Sequence, residues 1–256
     1  MINSSKYSLA FVNSKGGVGK STLCMLSAIA LMKSNAKCSI NLIDTDNQKS
    51  SLSILNHIKN NIVLEYIPFN YNSPGLGASL LDQKLKTLTN QKQITLIDTM
   101  AHPPRQLVNC LMQCNAIIVP CSLSDIEILA SIEFIKWLDG LKQINPGHSP
   151  HLILLPNRVP PNQRYIHLLT DKMKDIDVII GPTISELALL RNDLKFLPQE
   201  FNKSPNRFQI EFKNLMDFLN NALIGGGIDK ILESNSTDEL EHGSSKNNIV
   251  EISFQS

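Results

Sequence analysis

Seven short runs of apolar and β-branched residues recur along the chain between longer stretches of helix-like periodicity, and this alternation constrains the fold more than any other feature. They are Tyr7 to Asn13, Cys38 to Asp44, Ile62 to Pro68, Gln93 to Asp98, Ala116 to Pro120, Leu152 to Pro156 and Val178 to Ile180. Runs such as Ile94-Thr95-Leu96-Ile97 and Ala116-Ile117-Ile118-Val119 lack the polar alternation of a strand wetted on one face. They suit strands covered on both sides, so the expected fold is α/β: a doubly wound, mostly parallel sheet with helices on both faces. The stretch Asp125 to Leu141 predicts one of those helices, with Ile126, Leu129, Ile132, Ile135 and Leu138 as its core stripe and Trp137 beside it.

A chain of 256 residues can bury one large core, and residues 1–224 are expected to form a single domain. Gly225-Gly226-Gly227 then opens a polar, acidic segment to Ser256, read as a mobile tail. The net charge of +1 gives no global attraction to nucleic acid or to an anionic membrane. Five cysteines without a CxxC pair fit reduced thiols better than a disulfide framework or a zinc site. Cys110 and Cys114 would share one helical face; a metal clasp between subunits is one reading, small apolar fillers the favoured one. No secretory core follows Met1 to Lys6, and no apolar run approaches the roughly eighteen residues of a membrane span. A cytoplasmic, soluble protein is the expectation.

In a doubly wound sheet, ligands bind beyond the carboxyl ends of the strands, so the loops there are the candidates for chemistry. The first is Ser14 to Ser21, a glycine-rich turn between an apolar run and a helix-like stretch. Such a turn aims backbone N–H groups and a helix N-terminus at one spot, which suits a polyphosphate. Gly16, Gly17 and Gly19 let the backbone approach the phosphates, Lys20 can reach the β- and γ-phosphates, and Ser21 can ligate Mg²⁺. The usual P-loop pattern has glycine at position 14, where this chain has Ser14, while Lys15 adds a second lysine at the loop's start. Acidic residues to hold magnesium and orient water should end neighbouring strands, and Asp44, Asp46 and Asp98 do so.

The string Lys15-Gly16-Gly17-Val18-Gly19-Lys20-Ser21-Thr22 resembles the ParA/MinD family of deviant Walker A (SIMIBI-class) P-loop ATPases, and in layout the small stand-alone ParA type. The resemblance spans roughly residues 7 to 220. It implies that ATP-Mg²⁺ is held by Lys15 to Thr22, and that Lys15 reaches across an ATP-sandwich homodimer to the partner's phosphates, as an arginine finger would. Leu42-Ile43-Asp44-Thr45-Asp46-Asn47-Gln48 resembles switch I, with Asp44 facing the Mg²⁺ shell and Asp46 positioning the attacking water; Asn47 stands where relatives usually have proline. Ile94-Thr95-Leu96-Ile97-Asp98-Thr99 resembles the Walker B strand, with Asp98 on Mg²⁺ and Thr99 opening switch II. Relatives often continue with Pro-Pro, whereas this chain reads Met100-Ala101-His102-Pro103-Pro104. His102 has two readings, a solvent-exposed loop histidine or a γ-phosphate sensor. Asn157 stands at the strand end where relatives contact adenine.

The implied activity is a weak, partner-stimulated ATPase that closes a dimer on ATP and releases it on hydrolysis. The leading expectation is DNA partition with a centromere-binding, ParB-like adaptor; the alternative is a positioning or assembly ATPase for division, secretion or conjugative transfer that does not touch DNA. The acidic, glycine-led tail is unlike a basic amphipathic membrane-binding helix, so no membrane partner is expected. Between residues 136 and 174, Lys136, Lys142, Arg158, Arg164, Lys172 and Lys174 outnumber Asp139 and Asp171, which points to nonspecific DNA binding or to scattered solvated charges.

Overall fold

The computed structural model describes residues 7–34, 38–56, 62–87, 93–122, 124–144, 149–160, 169, 172–173, 175–186 and 207–223. The expected tail, residues 225–256, lies outside them, as do Arg164 and Lys174. Strands β1 (Tyr7–Phe11), β2 (Ser39–Asp44), β3 (Ile62–Tyr66), β4 (Gln93–Asp98), β5 (Ala116–Cys121), β6 (His151–Val159) and β7 (Ile179–Ile180) form one sheet in the order β3-β2-β4-β1-β5-β6-β7. A further strand, β8 (Ile184–Ser185), pairs with β6, and the pairings are parallel. The doubly wound parallel sheet expected from the continuous apolar runs is the fold observed.

Alternate residues of each strand feed two cores. Leu9, Phe11, Leu42 and Leu96 face helix α1 (Lys20–Ser34), helix α2 (Ser50–Asn56) and the terminal helix α6 (Arg207–Leu223). Ala10, Val12, Ile43 and Ile97 face α3 (Pro74–Thr87), α4 (Arg105–Leu111) and α5 (Asp125–Ile144). With both faces covered, the strand residues are mostly apolar on both sides, so the runs read as nearly continuous; Asn41 and Thr95 are buried polar exceptions.

Helix α5 differs from the sequence reading in its rotation. Ile132, Ile135 and Leu138 are buried as expected, joined by Ile128, Phe134 and Leu141, but Ile126 and Leu129 are 76% and 52% exposed. Two apolar stripes overlap on this helix, and the one beginning at Ile128 packs on β5 and β6. Periodicity marks that a face is apolar; it does not choose between two adjoining faces. Cys110 and Cys114 are both buried, burial pushes the Cys114 thiol up to about 12 and raises that of Cys110, and each packs in the α3–α5 core. Their burial among apolar neighbours favours the space-filling reading over a metal clasp between subunits.

Candidate functional site

The pairing register brings the ends of the central strands level. Phe11, the last residue of β1, sits opposite Asp98 of β4, and Asp98 sits opposite Asp44 of β2. The chain leaves β1 through Asn13, whose side-chain amide donates to the Pro120 carbonyl (2.6 Å) while its carbonyl oxygen accepts the Lys15 N–H (2.9 Å). This Asx turn ties the loop's start to β5, a role the sequence reading missed although a polar residue closing an apolar strand is its signal. Gly17 and Gly19 then take φ of +77° and +93°, a region that L side chains rarely adopt. A Cβ at Gly19 would also collide with the Asn157 amide. Helix α1 starts at Lys20, with its first turn closed by Leu23 N–H to Gly19 O (2.9 Å). The N–H groups of the next residues have no partner within the helix and concentrate positive potential at its mouth.

Lys20 is buried, and its ammonium donates to the Lys15 carbonyl at 2.9 Å, across the loop. Burial lowers its pKa, opposed by the charges of Asp98 and Asp46. Beneath it lies Asp98, fully buried, with neither carboxylate oxygen meeting a hydrogen-bond partner. Burial and the Asp44 charge push its carboxyl up to about 7, while the Ser21 and Ser51 hydroxyls and Lys20 pull it down from nearby without a formed bond. A buried orphan carboxylate beside a serine hydroxyl and an anion cradle is the donor set a magnesium-nucleotide needs, so the residues fit that group.

Asp44 is equally buried but fully employed. Its oxygens accept from the Ser51 hydroxyl (2.7 Å), the Asp46 N–H (2.9 Å) and, at 3.5 Å, the Leu52 N–H. Burial raises its pKa, and those bonds oppose the shift. Asp46 points its carboxylate at the Gln48 N–H (2.9 Å), forming a tight turn. Thr45 donates through both N–H and hydroxyl to the Asp98 carbonyl, and the Thr99 hydroxyl donates to the Phe11 carbonyl (2.7 Å), so the three strand ends are laced together.

On the far side Asn157 is buried at the end of β6 and donates to the Val18 carbonyl (2.8 Å), bracing the loop. His102 is exposed with φ of +51°. Glu127, unremarked in the sequence, accepts from the Ser122 and Ser124 hydroxyls; those bonds hold its carboxyl low, helped by the nearby charges of Arg158 and Lys15. The basic stretch is thinner than counted: Lys142 pairs with Asp177 (2.8 Å) and Asp139 (3.7 Å).

A glycine-rich loop at a helix mouth, two lysines at the loop's ends and aligned aspartates on the adjoining strands define a P-loop nucleotide-binding protein. The chain belongs to the CobQ/CobB/MinD/ParA nucleotide binding domain family, whose model matches residues 9–243. No curated protein matches it by sequence. Among solved structures, an aspartate-to-alanine variant of McdA from Cyanothece bound to ATP is 14% identical, with a TM-score of 0.64, over 85% of this chain and 97% of that one. A putative plasmid partition protein from Borrelia burgdorferi bound to AMPPNP is 19% identical (TM-score 0.60; 84% and 98% covered). The septum site-determining protein MinD of Pyrococcus horikoshii, complexed with Mg-ADP, is 16% identical (TM-score 0.57; 83% and 95% covered). At these identities the likeness is one of fold, and among the described residues no helix is long and apolar enough to cross a membrane.

Proposed function

We propose that this chain is a ParA-like ATPase switch that binds ATP with Mg²⁺, dimerises, hydrolyses slowly, and drives DNA partition with a centromere-binding adaptor. The observation that carries the nucleotide part is the orphaned, buried Asp98 carboxylate beneath Lys20 and beside Ser21. Mg²⁺ is commonly held by one or two carboxylates together with substrate phosphates and water. That suits a site where, among the described residues, no cluster of three or more His, Cys, Asp or Glu forms a cage.

In this reading Gly16 to Thr22 wrap the phosphates, Lys20 leaves the Lys15 carbonyl for the β- and γ-phosphates, and Ser21 with Asp98 holds the cation. Asp44 joins its outer shell. Asp46 gives up its turn to orient water, Asn157 stands on the adenine side, and Lys15, at the rim beside Glu127, serves the partner's phosphates. The solved partition relative supports the biological role. A second reading, positioning of a protein cargo without DNA contact, is favoured by the Lys142 ion pairs, which neutralise part of the basic stretch.

Size-exclusion chromatography of Asp46→Ala with and without ATP-Mg²⁺, followed by random duplex DNA at low salt, separates these. A dimer that retains DNA, with affinity falling steeply as salt rises, supports partition. A dimer that ignores DNA supports the second reading, and a monomer under all conditions overturns both. Lys15→Ala should still bind nucleotide yet lose dimerisation or hydrolysis; normal behaviour would remove the trans-lysine role.

A further inference from the structure

The turn after β2 and the loop after β4 both depart from the pattern of the family they resemble, at Asn47 and at Met100-Ala101-His102. Both are held by the same short segment, residues 66–71, which joins β3 to α3. At one end the Tyr66 hydroxyl donates to the Asn47 side-chain oxygen (2.8 Å), and the Asn47 amide reaches the Phe69 carbonyl at 3.4 Å. At the other end the Tyr71 hydroxyl donates to the Ala101 carbonyl (2.9 Å), with the His102 carbonyl at 3.5 Å. Those carbonyls flank the backbone of His102.

The segment between is stiff. Ile67 bonds through its N–H to the Asp44 carbonyl (3.0 Å), and Phe69 is buried in the core. Helix α3 approaches so closely that a Cβ on Gly77 would lie 2.6 Å from the Pro68 carbonyl. Among the described residues three non-glycine residues have positive φ, and two of them end this arrangement: His102 (+51°) under Tyr71, and Lys49 (+51°), whose ammonium lies 4.0 Å from the Tyr66 ring centroid. Strained backbone persists where surroundings over-determine it and often marks a point with two conformations. Tyr71 is 59% exposed, so core packing does not explain the position of its phenol.

We infer that residues 66–71 form a strap through which the two loops set each other's conformation, with Asn47, Tyr66 and Tyr71 as positioning residues. The inference rests on the reading of these loops as the nucleotide-sensing switches. A change in the main chain at His102 pulls Tyr71, and the stiff strap passes that movement to Asn47 and so to the turn that holds Asp46.

Trypsin cleavage reads both loops in the intact protein, after Lys49 in one and after Arg105 at the end of the other. In nucleotide-free protein, Tyr71→Phe should raise the cleavage rate after Lys49 several-fold, and Tyr66→Phe should do the same after Arg105. The double variant should do no more than the stronger single one, because one connected unit is being broken. With ATP-Mg²⁺, each single variant should lower kcat up to about tenfold, the scale of one lost hydrogen bond, with KM within about twofold. Cleavage raised only in each variant's own loop, or multiplying in the double variant, overturns the strap. Failure of the unaltered protein to bind ATP would overturn the switch reading instead, while the nucleotide-free cross-effect would still decide whether the loops are coupled.

Discussion

The ends of β2 and β4 carry two aspartates directly opposite each other in the sheet, both fully buried, with opposite fates. Asp44 has its carboxylate oxygens occupied by a serine hydroxyl and backbone N–H groups, whereas neither carboxylate oxygen of Asp98 meets a hydrogen-bond partner. The pair teaches that burial alone does not describe a carboxylate's job. Asp44 organises the turn that follows it, and Asp98 is kept free at a cost that a structural residue would not carry.

The sharpest way to break the contrast is Asp98→Asn. If that carboxylate serves a cation, ATP turnover should fall by about 100-fold or more, and magnesium should no longer improve nucleotide affinity in titration calorimetry. Unchanged turnover would reduce Asp98 to an unexplained defect of the core. Asp44→Asn should act mainly on the fold, losing about 1.5–3 kcal/mol in urea unfolding as the charge-assisted bonds to Ser51 and the Asp46 N–H weaken.

For the nucleotide-free protein Asp98→Asn should have the opposite sign, a gain of about 1 kcal/mol, because a neutral amide costs less to bury than a carboxylate. The same contrast has a pH signature. With a folded pKa of about 7 against 3.8 for the free group, the native chain holds a proton that the unfolded chain releases. Asp98 therefore leaves stability intact below about pH 4 and erodes it as pH rises toward 7 in magnesium-free buffer. Urea midpoints across that window should fall in the unaltered protein and fall less in Asp98→Asn; matching slopes would contradict the orphan carboxylate. An equally small effect, of opposite sign, belongs to Ser51→Ala, a loss of about 1 kcal/mol of stability, with the Asp44 pKa driven further upward for want of that bond. If Ser51→Ala is silent, Asp44 is less fully employed than its geometry indicates.

Much of this was legible beforehand because it is local. Continuous apolar runs marked β1 to β7, and the glycines and lysines of residues 15–22 marked the loop, since a helix mouth and positive φ are properties of a few adjacent residues. β8 escaped notice because its two residues carry no period. β5 and β6 run past Pro120 and Pro156, where the sequence reading stopped, because their neighbours in the sheet hold them extended beyond the missing N–H. Asn13 carried a signal, a polar residue closing an apolar run, whereas Glu127, Tyr66 and Tyr71 carried none that set them apart from ordinary polar or aromatic residues, and only their distant partners give them meaning.

By itself, then, the sequence determined the class of fold, the glycine-rich loop that opens α1 and the acidic residues at the strand ends, all written in short-range periodicity and turn chemistry. The tertiary structure decided which aspartate is satisfied, which stripe of α5 is buried, and which segment ties the two loops together. Those outcomes depend on register and on contacts between residues tens of positions apart, such as Tyr71 with Ala101 or Asn157 with Val18, and no local pattern encodes such pairings.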